Sequence, residues 1–458
     1  MSSVPLRSAA ASRHRLVGHA AGDSVLAWRR GKPVTAAQFL ADVASAAAAL
    51  PDASHVLNAF SDRYRFAVAL MAAVTRGQAT MLPPTTTPHV VRAMRAFAPD
   101  VYAVSDDPAG IHDLPRCALP EPGATAAAGF DVPEIPGDQL VACVFTSGST
   151  GEPQPHFKTF GGLVRDVAGE AARLAIGPGH TVLGTVPPQH MYGFESTVLM
   201  PILSGATLNA ERLYYPADIE AALEATPAPR ILFTTPFHLR SWMDSEPSAR
   251  VETIVSATAP LSVGLARTAE QRTGARLLEI YGCTEAGQLA TRRPSESPEW
   301  HALDGIRLWS EGTQAWCAGA HVDVPTPLQD VIEVRGDGSR FLLHGRAADM
   351  VNIAGKRNSI GYLDHQLTAI EGVVDGAFFL PDDEEVDGVT RLMAFVVAPT
   401  LDVAAIQAAL RERIDAAFMP RPLVKVDKLP RQLTGKLPRE SLRALAQEAR
   451  AKQAPRKP

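Results

Sequence analysis

The chain has 458 residues, of which 46% are hydrophobic and 20% are charged, and its formal net charge is −5. This length and apolar content allow two or more domains with a large core and exclude a largely disordered chain. The chain has no long basic run before its last residues, which argues against nucleic acid as the main partner. The four cysteines are widely separated (Cys117, Cys143, Cys283 and Cys317), which argues against a disulfide framework or a zinc site. The sequence shows neither a signal-peptide core nor an apolar run of transmembrane length, so we expect a cytoplasmic protein with no transmembrane segment.

The first hundred residues predict alternating strands and helices. Residues 1 to about 20 are expected to form a loose arm. Strands are predicted at 25–33 (with a turn), 56–60, 80–82 and 101–104, and helices after a Thr35 cap, at 63–76 and at 88–98. Such alternation is typical of a doubly wound parallel sheet. Ligands of these sheets bind at the carboxyl ends of the strands.

A hydroxyl-rich and glycine-rich loop follows the next predicted strand. Leu140 to Phe145 is an unbroken apolar run, which indicates a buried strand. The loop after it consists of Thr146, Ser147, Gly148, Ser149, Thr150 and Gly151. Its hydroxyls and backbone N–H groups could form a nest for phosphate oxygens, although it lacks the Walker pattern. A flexible turn explains the loop taken alone about as well.

The middle of the chain adds candidates for a pocket that binds an acid. A helix is predicted at 163–175 and strands at 181–186, 231–235 and 253–256. The strand at 181–186 leads into an aromatic loop that ends in an apolar helix. The pocket candidates are His190, Phe194, Ala257 and Gly282. By spacing alone, a hydrogen-bonded structural role explains His190 at least as well as a place in the pocket.

A second loop combines an aromatic ring, a hydroxyl and a carboxylate. A helix at 262–273 precedes a strand at 276–280, which leads into this loop. Tyr281 could stack on a base, Thr284 could contact phosphate, and Glu285 could hold Mg²⁺, which prefers oxygen ligands. As a lone motif it would be an ordinary strand-end turn. We expect it at the same sheet edge as the loop that begins at Thr146.

The pattern changes near residue 347. We predict an N-terminal domain at 1–347 and a smaller α+β domain at 348–458. The smaller domain has predicted helices at 362–370, at 403–418 after an Asp402 cap and from Pro438, and strands at 376–380, 391–397 and 424–426. Lys436 lies on a Thr-Gly turn in its last loop; a solvated surface lysine is the alternative.

The three loops occur together with Gly345-Arg346-Ala347-Ala348-Asp349 and Ala354-Gly355-Lys356. This ordered set resembles the adenylate-forming superfamily, which includes acyl- and aryl-CoA ligases. The resemblance covers nearly the whole chain and implies a large α/β N-terminal domain with doubly wound parallel sheets and a smaller mobile α+β C-terminal domain. It also implies that ATP, with Mg²⁺, converts a carboxylate to an acyl-adenylate. The thiol of CoA or of an acyl carrier protein then displaces AMP.

The resemblance also implies residue roles. Thr146 to Gly151 would hold the β- and γ-phosphates, Tyr281 adenine, Thr284 the α-phosphate and Glu285 Mg²⁺. Asp330 and Arg346 would hold ribose, Asp349 would be the hinge, and Lys436 would bridge the carboxylate and the α-phosphate. Gln154 replaces the lysine usual after the loop, and Lys158 is the candidate substitute. The degenerate Leu328-Gln329 before Asp330 weakens the match there.

The variant Gln154-Pro155-His156-Phe157-Lys158 is similar to ligases of aryl-polyene and xanthomonadin pathways, which activate small aromatic acids such as hydroxybenzoates. This similarity favours an aromatic substrate. A fatty or 3-hydroxyacyl ligase and a non-catalytic nucleotide-binding homologue are the alternatives.

Overall fold

The computed structural model describes residues 12–83, 85–107, 111, 113–127, 129–147, 153–312, 314–346, 350–353, 356–381, 385–386, 389–432 and 437–453. Its N-terminal part alternates strands and helices as predicted. The strands are β1 (Arg13–Arg15), β2 (Val25–Arg29), β3 (Lys32–Thr35), β4 (His55–Asn58), β5 (Ala79–Leu82), β6 (Tyr102–Val104), β7 (Glu134–Pro136), β8 (Leu140–Ser147) and β9 (Pro153–Thr159). The helices are α1 (Ala36–Ala49), α2 (Arg63–Thr75) and α3 (Pro88–Phe97).

The first large sheet has the strand order β6-β4-β5-β8-β9. The first four strands are parallel, and β9 returns antiparallel to β8. The sequence did not predict β9, because Pro153 and Pro155 deprive a strand of backbone donors. The edge position of β9 explains how the prolines are tolerated, since an edge strand needs only one set of ladder hydrogen bonds.

The second part of the chain runs from residue 160 to residue 346. Its helices are α4 (Phe160–Leu174), α5 (Met191–Gly193), α6 (Met200–Ser204), α7 (Pro216–Ala225), α8 (Pro236–Asp244) and α9 (Val263–Thr273), with a π-helical segment, Phe194–Leu199, between α5 and α6. Its strands are β10 (Thr181–Gly184), β11 (Thr207–Asn209), β12 (Arg230–Thr234), β13 (Thr253–Ser256), β14 (Arg276–Cys283), β15 (Gly287–Arg292), β16 (Trp300–Ala302), β17 (Arg307–Glu311), β18 (Gln314–Gly319), β19 (Val322–Leu328), β20 (Asp330–Arg335) and β21 (Arg340–Arg346).

Within the described ranges, eleven strands form the second large sheet, in the order β20-β21-β16-β15-β14-β13-β12-β10-β11-β2-β3. The strands from β2 to β14 in this order are parallel. The strands that precede β14 in this order, and β3 at the opposite end, pair antiparallel. Helices α2 and α4 and the π-helical segment contribute to one large core with residues from both sheets. The parallel sheets confirm the predicted fold class.

The prediction of a loose N-terminal arm is wrong for the residues from 12 onward. Arg13–Arg15 pairs with Glu134–Pro136, and Leu16 and Val17 are fully buried. A single short strand gives too little periodicity to stand out in the sequence. Its partner, moreover, lies more than a hundred residues away.

The C-terminal part has its own core. Its elements are β22 (Met350–Ile353), β23 (Lys356–Ser359), α10 (Ile360–Thr368), β24 (Asp375–Phe379), β25 (Glu385–Val386), β26 (Val389–Thr390), β27 (Met393–Val397), α11 (Val403–Arg411), β28 (Leu423–Lys425) and α12 (Arg439–Gln453). Asp402 caps α11 as predicted, with its Oδ1 accepting from the Ala405 N–H at 2.7 Å. The helix is shorter than predicted, because a 3₁₀ turn at Ala416–Phe418 follows it separately.

This smaller α+β region packs against the larger one. The Arg240 guanidinium on α8 donates to the backbone oxygen of Val374, and α10 lies against β21. No helix in the described part of the chain is both long enough and apolar enough to cross a bilayer.

Candidate active site

The two predicted ligand loops lie close together, but not on one sheet as expected. Thr146 lies at the carboxyl end of β8 in the first large sheet, and Glu285 lies in the turn after β14 in the second. His156 of β9 connects them. Its Nε2 is 3.0 Å from Thr146 Oγ1 and 3.9 Å from Glu285 Oε1. The site therefore lies where the carboxyl ends of two sheets face each other, a position that sequence order alone does not reveal.

His156 is a site residue that the sequence analysis did not assign. Burial lowers the pKa of His156 below its usual 6.5; the nearby Glu285 carboxylate opposes this effect, and Lys158 adds to it. The imidazole is therefore neutral at pH 7 and bonds the Thr146 hydroxyl without neutralising Glu285. The sequence offered one signal. Gln154, His156 and Lys158 are spaced two residues apart, so their side chains lie on the same face if residues 153–159 form a strand.

Glu285 remains accessible at this junction, with 36% of its side chain exposed. It lies with Thr284 in the turn between β14 and β15. The described residues contain no group of three or more His, Cys, Asp or Glu side chains arranged to hold a metal. A lone accessible carboxylate suits Mg²⁺, which is commonly held by one or two carboxylates and the phosphates of its substrate.

Tyr281 and Asp330 form a second pair at the cleft. The Tyr281 hydroxyl donates to Asp330 Oδ2 at 2.8 Å, and its ring packs against Trp300 and Phe341. Burial and the Asp330 carboxylate raise the pKa of the phenol, so it stays a donor. Asp330 pairs with Arg346 in the β20–β21 register. The structure thus brings together the residues expected at adenine and ribose; their nucleotide contacts remain predictions.

Two of the segments that carry predicted acid-pocket residues are hydrogen-bonded to each other. The Tyr192 hydroxyl donates to Val255 O at 2.8 Å, which ties the loop that ends in Phe194 to the strand before Ala257. Phe194 is fully buried and Ala257 nearly so. Thr258, next to Ala257, has a φ of 79°. This left-handed conformation is costly for a β-branched residue and is found mainly where function or packing imposes it.

Glycine is required where this loop turns. A Cβ at Gly193 would collide with the backbone oxygen of Pro187, so only glycine allows the chain to fold back on itself. His190 immediately precedes α5, and its carbonyl accepts from the Phe194 N–H at 2.8 Å. The backbone of the aromatic loop is therefore held in one shape. Its role in acid binding remains a prediction.

Lys158 lies four residues along β9 from Gln154, on the same face of the strand. Its positive charge adds to the lowering of the pKa of His156 and of His321, and it opposes the rise in the pKa of Glu195 that burial causes. Its expected contact with phosphate stays a prediction. Several other predicted site residues lie outside the described ranges: Gly148, Ser149, Thr150, Gly151, Asp349 and Lys436. The side chains of Ser147 and Arg346 are likewise not described.

Comparisons with known proteins identify the family to which this chain belongs. Residues 14–307 match the model of the AMP-binding enzyme family. A 4-coumarate–CoA ligase of Halorhodospira halophila is 32% identical over 304 residues, which are 64% of this chain and 73% of that protein. A p-hydroxybenzoic acid–AMP ligase of Mycobacterium marinum is 27% identical over 354 residues, covering 67% and 49% of the two chains. The structure of O-succinylbenzoate coenzyme A synthetase from Bacillus subtilis with AMP superposes with a TM-score of 0.77 at 17% identity, covering 92% of this chain and 95% of that one.

The fold and the site together define an adenylate-forming enzyme with a large α/β region and a small α+β region. The chain belongs to the AMP-binding enzyme family. It is an AMP-forming acid–thiol ligase.

Proposed function

We propose that this enzyme uses ATP and Mg²⁺ to activate a small aromatic carboxylic acid, such as a hydroxybenzoate, and transfers the acyl group to the thiol of CoA or of an acyl carrier protein. The observation that carries the proposal is the meeting of Thr146, His156 and Glu285 at the junction of the two sheets. This junction offers a hydroxyl and an accessible carboxylate beside the Tyr281–Asp330 pair.

The chemistry must overcome the repulsion between a carboxylate and a triphosphate. Donors aimed at the phosphates offset this repulsion as the two groups meet. In the proposed first step, a carboxylate oxygen of the acid attacks the α-phosphorus and the bond to pyrophosphate breaks. In the second step, the thiol sulfur attacks the acyl carbon, the bond to AMP breaks and the thiol proton leaves to solvent.

Each residue has a proposed task in this scheme. Thr146 and the loop after it bind the β- and γ-phosphates, and Thr284 binds the α-phosphate. Glu285 holds Mg²⁺, which would neutralise phosphate charge. Tyr281, positioned through its bond to Asp330, provides a surface for adenine, and Asp330 and Arg346 bind ribose. The catalytic cation is assigned to Lys436 of the C-terminal domain.

The aromatic substrate class is supported by the relatives and by the pocket. Two relatives carry names that specify 4-coumarate and p-hydroxybenzoic acid, both aromatic acids. The pocket candidates lie among closely packed side chains, including the edge-to-face pair of Tyr192 and Phe233, whose ring centroids are 6.0 Å apart. Such packing favours a compact acid over a long acyl chain.

ATP–pyrophosphate exchange tests the adenylation step. With Mg²⁺ present, we expect exchange that depends on added acid and is faster with hydroxybenzoates than with octanoate or 3-hydroxyoctanoate. Exchange with the fatty acids alone would replace the aromatic substrate by the fatty alternative. No exchange with any acid of the panel would overturn the proposed function.

The acceptor is tested separately. Acyl transfer from the enzyme-bound adenylate is measured with CoA and with a carrier protein that bears phosphopantetheine. Faster transfer to one of them identifies the acceptor. Failure of both, with exchange intact, would overturn the proposed second step.

A further inference from the structure

Five buried polar residues from three elements lie beside Phe194 and Gly282, two of the predicted pocket residues. Asp166 and Glu170 lie one turn apart on α4, Glu195 and Ser196 lie on the π-helical segment, and Gln288 lies on β15. Each is at most 3% exposed. We call these residues the buried polar cluster. None of them was assigned a role from the sequence.

Hydrogen bonds hold part of the cluster together. Gln288 Nε2 donates to Ser196 Oγ at 2.8 Å, and the Gln288 N–H donates to Asp166 Oδ1 at 3.2 Å. The Asp166 carboxyl also lies close enough to Glu195 to raise its pKa. A Cβ at Gly287 would collide with Asp166 Oδ2, so glycine is needed there for the close approach of the carboxylate.

Other polar atoms of the cluster lack a partner although they are shielded from solvent. They are both carboxyl oxygens of Glu170, Oε1 of Glu195 and Oε1 of Gln288. Ser196 and Gln288 lie near Glu170 and oppose the rise of its pKa. Each buried polar atom without a partner costs about 1–3 kcal/mol. Such atoms are rare in native proteins and indicate a missing donor such as a ligand or a water.

The protonation of the cluster favours a neutral donor over a cation. Burial raises the pKa of Glu170 to about 8 and also raises that of Glu195, with Asp166 adding to both effects. Glu170 is therefore largely protonated at neutral pH, and the protonated form of Glu195 is favoured in the same direction. A protonated carboxyl both donates and accepts, which matches a hydroxyl group. The described residues include no metal-binding group of His, Cys, Asp or Glu.

The cluster is continuous with two of the predicted pocket residues. Glu195 directly follows Phe194, and Gln288 faces Gly282 in the β14–β15 register. Glu285, at the nucleotide end, is partly exposed, whereas the cluster is fully enclosed. π-Helical turns are uncommon and often occur at functional sites.

We infer that the buried polar cluster binds a ring hydroxyl of the acid, at the end of the pocket opposite the nucleotide. The inference rests on the proposed function and adds to it the residues that select the substrate. Asp166, Glu195 and the Ser196–Gln288 pair are the specificity-determining groups. The selected class is aromatic acids with a hydroxyl on the ring, in preference to acids with an ether or no polar group at that position.

Exchange kinetics with matched acids test this inference. Benzoate is compared with 3- and 4-hydroxybenzoate and with the corresponding methoxybenzoates. For the better hydroxybenzoate, we expect kcat/KM at least about tenfold above benzoate and above its own methoxy counterpart, because a buried site built to bond a hydroxyl discriminates against analogues that leave it unpaired. Equal rates for the hydroxy and unsubstituted acids would overturn the inference while leaving the proposed function intact.

Variants then locate the selectivity. In Glu195→Gln and Ser196→Ala, we expect the ratio of kcat/KM for the hydroxy acid to that for benzoate to fall to about threefold or less. Ser196→Ala is the decisive variant if Glu195→Gln does not fold. Asp42→Asn is the matched control, since Asp42 is a buried carboxylate bonded to Tyr64 Oη at 2.7 Å, to Gln38 and to the Gly123 N–H. A full preference in folded Ser196→Ala, or its loss in Asp42→Asn, would refute the assignment.

Discussion

His156 Nε2 lies 3.9 Å from Oε1 of Glu285, although the two residues belong to different sheets. The same nitrogen bonds Thr146, so His156 links the carboxyl end of β8 to the proposed metal ligand. We expect His156→Ala to lower kcat/KM for ATP in the exchange assay about tenfold, since tenfold corresponds to roughly 1.4 kcal/mol, the scale of one hydrogen bond. His156→Gln should retain more activity. An unchanged kcat/KM for ATP in His156→Ala would contradict this role.

The same residue predicts a pH dependence. The pKa of His156 is lowered, so its charge appears only below its usual 6.5. Protonation would then place a positive charge beside Glu285, where it competes with Mg²⁺. We expect kcat/KM for ATP to fall as the pH drops below 6.5, and this fall to be relieved by more Mg²⁺. The His156→Gln variant serves as the control, and an identical acid limb in that variant would count against the explanation.

The Tyr281–Asp330 bond predicts an effect on nucleotide binding. Tyr281→Phe keeps the ring between Trp300 and Phe341 but removes the donor to Asp330. With one hydrogen bond lost, we expect KM for ATP to rise about threefold to tenfold while kcat changes little. Kinetics at saturating acid measure both constants. A fall in kcat with KM unchanged would mean that the bond acts in the chemical step instead.

The proposed role of Lys436 predicts that its substitution impairs the adenylation step but not the thiol-transfer step. Lys436→Ala should lose most acid-dependent exchange, because the repulsion between carboxylate and phosphate is then not offset. Thiol transfer from supplied acyl-adenylate should continue at nearly the original rate. Lys425→Ala is a matched control, since Lys425 is a lysine of the same region whose Nζ donates to the backbone oxygen of Leu401. Unchanged exchange in Lys436→Ala would show that another group supplies the charge.

Glu170 predicts a stability that depends on pH. Its pKa is about 8 in the folded protein against an ordinary value of 4.5, so the folded state binds more protons than the unfolded state between these values. The stabilisation is present below pH 4.5 and is lost as the pH rises through 8, at most about 1.4 kcal/mol per pH unit. Relative to wild type, Glu170→Gln should therefore be more stable at pH 8.5 than at pH 5.5. Denaturant unfolding measures this, and a constant difference between the two proteins would refute it.

Much of the fold could be predicted because its evidence is local. The apolar run before Thr146, the Thr35 and Asp402 caps and the alternation of strands with helices can all be read from neighbouring residues. The prediction that the two ligand loops share one sheet edge was wrong. β8 and β14 belong to different sheets, and which sheet a strand joins depends on contacts between residues far apart in sequence. β9 was missed because its prolines are compatible with a strand only at an edge, and edge position is decided by the completed sheet.

Some residues of the candidate site could likewise be identified from the sequence, whereas others are recognised only in the structure. The motif residues Thr146, Tyr281, Thr284, Glu285 and Asp330 could be chosen from side-chain chemistry and order along the chain. His156 could not, since its importance comes from its distances to Thr146 and Glu285. The pair Asp166 and Glu170, one turn apart on a helix, was visible as a pattern, but a pattern does not tell whether two carboxyls face water or a core.

The sequence by itself determined the class of enzyme, because hydroxyls, glycines, a tyrosine and carboxylates in a set order specify which groups are available to a nucleotide and an acid. Tertiary structure decided which of those groups meet, and it buried Asp166, Glu170 and Glu195 around Gln288. The physical reason is that a carboxyl's pKa, and a polar atom's need for a partner, depend on how deeply the group is buried and on how far it lies from other groups. Both are decided only when segments from separate parts of the chain pack together.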